Sequence, residues 1–148
     1  MNIVRFIAFL MMIASISNAL EMTKSQYDFE TTISNAYVFL TQKDIPIFAE
    51  FNHAKNAKDA GLPLNRTKVI VFGNPKVGTL LMQENQQIGI ELPLKIIVWE
   101  DSGHNVFVAS TDINEIAKRY GITNRAIVDN IAQLLANIIH YSTKQRAH

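Results

Sequence analysis

The chain has 148 residues with 14 basic and 13 acidic side chains, so its formal net charge is only +1. This balance excludes the strongly basic character expected of a nucleic-acid-binding protein or a polybasic membrane binder. The sequence contains no cysteine, which excludes disulfides, thiol nucleophiles and thiolate metal sites. A chain of this length predicts one domain that is stabilised by its core.

The first nineteen residues have the three parts of a secretory signal peptide. Arg5 supplies a positive charge, residues 6–16 form an apolar run, and Ser17-Asn18-Ala19 is a small-residue cleavage site. The alternative, an uncleaved anchor, needs roughly 20 apolar residues to span the bilayer. We therefore predict a signal peptide at 1–19 and a single mature domain at 20–148. The protein is expected to be exported, periplasmic or secreted, with no stable membrane anchor after cleavage.

Caps and apolar periodicity predict five helices and four strands in the mature chain. Asp28, Asn74 and Asp112 are residue types that cap helix starts, while Gly61 and Gly121 are typical of helix ends. Strands are predicted where apolar residues alternate or run continuously. The elements are a helix after Asp28 that ends near Lys43, a strand over 45–53, a helix over 54–60, a strand over 68–72, a helix over 75–84, strands over 95–99 and 106–109, a helix over 112–121, and a last helix capped by Thr123 or Asn124.

The order and polarity of these elements indicate the fold class. Residues 101–104 are polar and include a glycine, so the two strands that they join are expected to form an antiparallel hairpin. The strand over 68–72 is expected to be covered on both faces, and the tail from Thr143 is expected to fray. We predict an α+β fold, a two-layer sandwich of a mixed or antiparallel sheet with helices packed on one face. The apolar stripe of the last helix faces the sheet or a partner and contains Ile127, Ile131, Leu134, Leu135 and Ile138, widened by Val128 and Ile139.

Five short motifs carry a resemblance to a known family. In chain order they are Phe51-Asn52-His53-Ala54, Ala60-Gly61-Leu62, Val71-Phe72-Gly73-Asn74-Pro75, Thr79-Leu80-Leu81-Met82 and Leu92-Pro93-Leu94-Lys95. From about residue 28 to 112 the chain resembles the bacterial and archaeal family called domain of unknown function 302. The resemblance implies a small sheet-and-helix domain grouped with TATA-binding-protein-like folds, and a homodimer, but no reaction. Family members usually carry a Tyr-Asn pair after the last strand, whereas this chain has Ser110-Thr111-Asp112-Ile113, so no role of that pair is carried over.

His53 is the candidate residue for proton chemistry or ligand contact. Imidazole titrates near neutral pH, so His53 is suited to act as a general base, a ligand contact or a metal ligand. The structural alternative is a buried histidine that closes its strand by bonding to the backbone. No histidine pair has the helical i, i+3 or i+4 spacing of a local metal site. Neither a metal nor another cofactor is therefore predicted.

Gly73-Asn74-Pro75-Lys76 leads into a predicted helix, whose free N-terminal amides favour an anion. Lys76 and Thr79 add a charge and a hydroxyl group, although the loop is too short for a phosphate-binding P-loop. The structural alternative is that Gly73 makes the turn, Asn74 caps the helix and Pro75 starts it. If the strands before His53 and Gly73 run in the same direction, both ends meet at one sheet edge. We predict a pocket there for a small or anionic ligand.

Two acidic residues and the single tryptophan complete the set of candidates. Glu100 and Asp101 are adjacent in a strand and point to opposite faces, which predicts solvated charges rather than a catalytic carboxylate pair. Trp99 is expected in the core or in a dimer interface, because one aromatic residue with few basic neighbours does not indicate nucleic-acid stacking. No nucleic-acid partner is predicted.

Three classes of function fit these residues. The first is a binding or stress-related module that acts as a homodimer, and the lack of a catalytic constellation favours it. The second is a small hydrolase or transferase that uses His53 with the Gly73-Asn74-Pro75 loop. The third is a structural or partner-binding homodimer with no small ligand.

Overall fold

A computed structural model describes residues 21–144, so the predicted signal peptide at 1–19 lies outside the described residues. Five strands and five α-helices follow one another along the described chain. They are β1 (Glu21–Lys24), α1 (Phe29–Gln42), β2 (Ile47–Asn52), α2 (His53–Asp59), β3 (Thr67–Phe72), α3 (Pro75–Glu84), β4 (Leu94–Glu100), β5 (Val106–Ser110), α4 (Ile113–Arg119) and α5 (Arg125–Thr143), with a 3-10 helix at Gln86–Ile90 between α3 and β4.

The five strands form one sheet in the order β1-β5-β4-β3-β2. Each neighbouring pair is antiparallel. Helices α1 and α5 pack against each other and contact β4 and β5. The two-layer α+β fold predicted from the sequence is thus confirmed. The core between the sheet and the helices includes Ile70, Phe72, Ile96, Val98, Val108, Leu40, Val128 and Ile138, all at most 1% exposed.

Side-chain caps set the helix starts as predicted. The carboxylate of Asp28 accepts a hydrogen bond from the Thr31 amide at 2.7 Å, and the Asn74 side chain accepts one from the Lys76 amide at 2.9 Å. These bonds satisfy amides that have no partner inside the helix. Gly121 ends α4 with φ at 67°, a conformation that glycine adopts without steric cost. The predicted bounds of α3 are confirmed at both ends.

One face of the sheet is less protected than the other. Along β4, buried and half-buried residues alternate, and in β3 Ile70 and Phe72 are buried whereas Val69 and Val71 are half-buried. The prediction that 68–72 is covered on both faces is therefore wrong. We call the less protected side the open face; its central row is Phe51, Val69, Ile97, Ala109 and Met22, which are paired across all five strands.

Several elements differ from the sequence prediction. Strand β1 was not predicted, because it has only four residues and pairs with β5 far along the chain. Strand β2 ends at Asn52, and His53 is the first residue of α2. Thr143 is fully buried at the end of α5, where its hydroxyl donates to the Ile139 carbonyl at 2.7 Å, so the helix does not fray at that residue.

Candidate functional site

The predicted meeting of His53 with the Gly73 loop does not occur. Strands β2 and β3 are antiparallel, with Ile47 opposite Phe72 and Asn52 opposite Lys68. His53 therefore lies at one end of this strand pair and Gly73 at the other, about 20 Å apart along the strands at the usual rise per residue. The prediction that the two segments form one pocket is wrong, because it required the strands that precede His53 and Gly73 to run in the same direction.

His53 is exposed rather than buried, so the structural alternative proposed for it is also wrong. Its ring stacks on Phe51, with 6.5 Å between the ring centroids. It lies at the start of α2, which buries no residue of its own. A role of His53 in ligand binding stays a prediction.

The Gly73 segment borders a cavity of about 300 Å³ under α3, which we call the α3 cavity. Its walls come from α3, the 3-10 helix, the segment that leads into β4, and Ile131 of α5. Gly73, Asn74 and Thr79 line this cavity, whereas Lys76 and His53 do not. Most of the remaining lining residues are apolar: Phe48, Pro75, Val77, Leu81, Met82, Leu92, Pro93, Leu94 and Ile131, together with Gly78 and Gly89.

Two glycines keep this space free of side chains. A β-carbon on Gly78 would lie 3.6 Å from Leu92 Cδ1, and one on Gly89 would lie 3.2 Å from Met82 Sδ. Gly78 is inside α3, where glycine costs about 1 kcal/mol relative to alanine. Because α3 has a glycine at a position that faces the cavity, despite this cost, we infer that the absence of a side chain there keeps the cavity open.

The polar groups at the cavity are mostly occupied by structural bonds. The Asn74 side chain caps α3, and the Gly73 amide donates to the Pro46 carbonyl at 3.2 Å. Thr79 is exposed on the same helix and lines the cavity, so its hydroxyl can face a ligand. The capping roles of Asn74 and Pro75 are confirmed, and the cavity itself is apolar rather than an anion cradle.

A cluster of polar side chains at the end of β4 was not predicted from the sequence. Glu100 is only 9% exposed; it forms an ion pair with Arg66 and its Oε1 lies 3.0 Å from His104 Nδ1. Hydrogen bonds from His104 and Arg66 hold the pKa of the Glu100 carboxyl below its ordinary value. The prediction that Glu100 is a solvated charge was wrong. Glu100 lies on the same face of β4 as Leu94, Ile96 and Val98, which face the helices. This alternation along the strand is the sequence signal that was missed.

Asp101 has a local structural role. Its Oδ1 accepts hydrogen bonds from the amides of Gly103 at 2.8 Å and Asn105 at 2.9 Å, which order the turn between β4 and β5. These bonds lower the pKa of the Asp101 carboxyl. Within residues 21–144, no group of three histidine or acidic residues is arranged to hold a metal ion.

Trp99 lies on the open face rather than in the core. It is half-buried, and its ring stacks on Phe107 with 5.4 Å between centroids. A role in a dimer interface stays a prediction. Among residues 21–144, no helix has the length and apolar character needed to cross a membrane.

Comparisons with known proteins address both family and fold. The family model described as "Domain of unknown function DUF302" matches residues 21–140. A crystal structure of an uncharacterized conserved DUF302 protein from Bacillus stearothermophilus superposes with a TM-score of 0.71 at 18% identity, covering 82% of this chain and 95% of the other. This likeness supports the α+β fold.

Among curated proteins, the chain is similar to part of some ion channels. It is 32% identical over 111 residues to "Fluoride-specific ion channel FluC 1" of Brucella suis biovar 1 (strain 1330), covering 75% of this chain and 44% of that protein. The match to "Fluoride-specific ion channel FluC 2" of Brucella melitensis biotype 1 has the same identity and covers 41% of that protein. The chain thus spans less than half the length of these relatives.

Proposed function

The chain belongs to the DUF302 family, and we propose that it is an exported module that binds a small apolar molecule in the α3 cavity and acts as a homodimer. The observation that carries the ligand proposal is Gly78, a helix-interior glycine whose missing side chain leaves the cavity open. Most of the residues around that cavity are apolar.

The size and polarity of the cavity suggest the class of ligand. A volume of about 300 Å³ lies at the lower end of the range of about 300–1,000 Å³ found for ligand pockets. Even an engineered apolar cavity of about 150 Å³ binds benzene. From the sequence we predicted a small or anionic ligand, and of these two we infer a compact, neutral, mainly apolar molecule, with Thr79 supplying a hydroxyl at the edge of the cavity.

A fluorescence titration with the neutral probe N-phenyl-1-naphthylamine tests this ligand class. Gly78→Leu fills the cavity and should weaken binding by at least about tenfold, which corresponds to about 1.4 kcal/mol. The matched control is Gln83→Leu, which adds the same side chain to an exposed position of α3 that does not line the cavity. Equal affinity for both folded variants would contradict the proposal.

The open face supports the homodimer. Its central row places apolar side chains on every strand, and Phe51 and Met22 are 48% and 58% exposed. Five strands of four to seven residues at about 4.8 Å spacing give a flat face of roughly 450 Å². Two copies packed face to face would bury about 900 Å², which corresponds to a small, weakly associating interface.

Sedimentation equilibrium of the purified protein tests the dimer and its face. Ile97→Lys places a charge in the middle of the open face and should shift the dimer to monomer. The matched control is Ile90→Lys, since Ile90 is 78% exposed in the 3-10 helix and outside the open face. A monomeric wild-type protein, or a dimer that survives Ile97→Lys, would rule out this interface.

Export is proposed from the signal-like segment at 1–19. The mature protein is expected to begin near Leu20 and to be found outside the cytoplasm. N-terminal sequencing of the cell-envelope fraction checks this, and a sequence that starts at Met1 would contradict it. A role in stress stays a prediction. The hydrolase or transferase alternative is not supported, because His53 and the Gly73-Asn74-Pro75 loop lie at opposite ends of the β2–β3 pair.

The curated relatives favour one second candidate, an accessory domain for an ion channel. The similar segment occurs inside proteins named as fluoride-specific ion channels and occupies less than half of their length. We propose that this chain modulates such a channel. Fluoride efflux from vesicles that contain a FluC-type channel should change when the purified chain is added, and an unchanged rate would exclude this candidate.

A further inference from the structure

One aromatic side chain borders the α3 cavity without another ring against it. Phe48 of β2 lines this cavity and is 47% exposed, whereas Phe29, Phe39 and Phe72 are at most 6% exposed. None of the ring pairs found among residues 21–144 includes Phe48. A large aromatic side chain is thus half-exposed at the one place where it meets an apolar cavity.

The backbone around Phe48 leaves its ring free to move. Ile47 pairs with Phe72 and Ala49 pairs with Val71. Phe48 is therefore the extra residue of a β-bulge and has no partner on β3. Strand β2 is also at the edge of the sheet, so no neighbouring strand fixes the ring from the other side. The bulge holds Phe48 at the cavity, while rotation of its side chain can bring the ring onto a bound molecule.

Glycine backbone and a sulfur atom lie beside this ring. A β-carbon on Gly73 would be 3.6 Å from Phe48 Cε2, so the edge of the ring is in van der Waals reach of the bare backbone. The Sδ atom of Met82 lies against Gly89, another residue of the cavity wall. Sulfur makes favourable contacts with the edges of aromatic rings. The cavity therefore offers a ring and a thioether as well as aliphatic groups.

We propose that Phe48 is the specificity-determining residue of the α3 cavity and that the ligand is a neutral molecule with a flat aromatic ring. The ligand ring packs against the ring of Phe48 and contacts the sulfur of Met82. This inference rests on the proposed function, because it names the chemical class of the molecule that binds in the same cavity.

An aromatic ligand has an advantage that a saturated one of similar size lacks. Both bury apolar surface, and the hydrophobic gain depends mainly on the area removed from water. Two aromatic rings also attract each other in offset or edge-to-face geometry, and the Met82 sulfur adds a second contact of this kind. The size of these pair interactions predicts a preference of about threefold to tenfold for the aromatic ligand.

Isothermal titration calorimetry of the mature protein with two matched probes tests the inference. 2-Naphthol is flat and aromatic, whereas decahydro-2-naphthol has the same carbon skeleton and hydroxyl group but no aromatic ring. Wild-type protein should bind 2-naphthol at least about threefold more tightly than the saturated probe. Phe48→Leu keeps an apolar side chain and removes the ring, so the ratio of the two dissociation constants should fall to about one.

Phe51→Leu is the matched control. Phe51 lies on the same strand and is 48% exposed, but it does not line the cavity, so this variant should keep the wild-type preference. Urea denaturation checks that both variants are folded. Equal wild-type affinity for the two probes, or a preference that survives Phe48→Leu, would overturn the inference and leave ligand binding in the cavity intact. If neither probe binds wild-type protein, the proposed function is refuted together with this inference.

Discussion

Truncating the apolar stripe of α5 should strongly destabilise the fold. Ile131 and Leu135 are each 4% exposed, so nearly all of the three carbons that alanine lacks are buried. At about 0.8 kcal/mol per buried methylene, their transfer to water accounts for about 2.4 kcal/mol. The void left behind raises the total, and we expect Ile131→Ala and Leu135→Ala each to cost about 2–5 kcal/mol.

Urea denaturation followed by circular dichroism measures this cost. With a slope of about 1–3 kcal/mol per molar for a small domain, the midpoint should fall by roughly 1 M or more. Gln133→Ala on the same helix is the control: Gln133 is exposed and its side chain donates to Asn137 Oδ1 at 2.9 Å, a pair worth about 0.2–0.5 kcal/mol. Equal midpoint shifts for all three variants would refute the assignment of the buried stripe.

Three further substitutions probe the polar residues. Glu100 has a lowered pKa in the folded protein, so its stabilising effect is present above its ordinary pKa of 4.5 and is lost as pH falls through the lowered value. Glu100→Gln should therefore be less stable than wild type at about pH 7, with the difference narrowing towards about pH 3 in urea titrations; a constant difference would contradict this. Asn74→Ala removes the cap of α3 and should cost about 1 kcal/mol, with faster amide exchange in the first turn of α3 but not in α5. His53→Gln should leave both the urea midpoint and probe binding in the α3 cavity unchanged, because His53 is exposed and distant from that cavity. A weakened probe affinity would contradict this and would show that the two ends of the β2–β3 pair are coupled.

Much of the fold was predictable because its signals are local. Asp28, Asn74 and Asp112 each cap the helix that was predicted to follow them. The hairpin of β4 and β5 follows from the short polar turn between two apolar runs. Such signals depend on neighbouring residues, so a single sequence carries them.

The site was less predictable because it depends on strand direction and on distant contacts. The antiparallel pairing of β2 with β3 separates His53 from Gly73, and no local pattern specifies that direction. The contact of Arg66 with Glu100 joins residues 34 positions apart. The α3 cavity also depends on Ile131 from the last helix, and Gly78 inside α3 is the sequence signal for it that was missed.

Methionine methyl NMR tests the ligand proposal most directly. Residues 21–144 contain two methionines: Met82, which lines the α3 cavity, and Met22, which lies on the open face. In the methyl-labelled mature protein titrated with indole, the Met82 resonance should shift in a saturable way while Met22 stays in place, and Gly78→Leu should abolish the shift. A Met82 resonance that does not move at high indole concentration, or a shift at Met22 alone, would contradict binding in the α3 cavity.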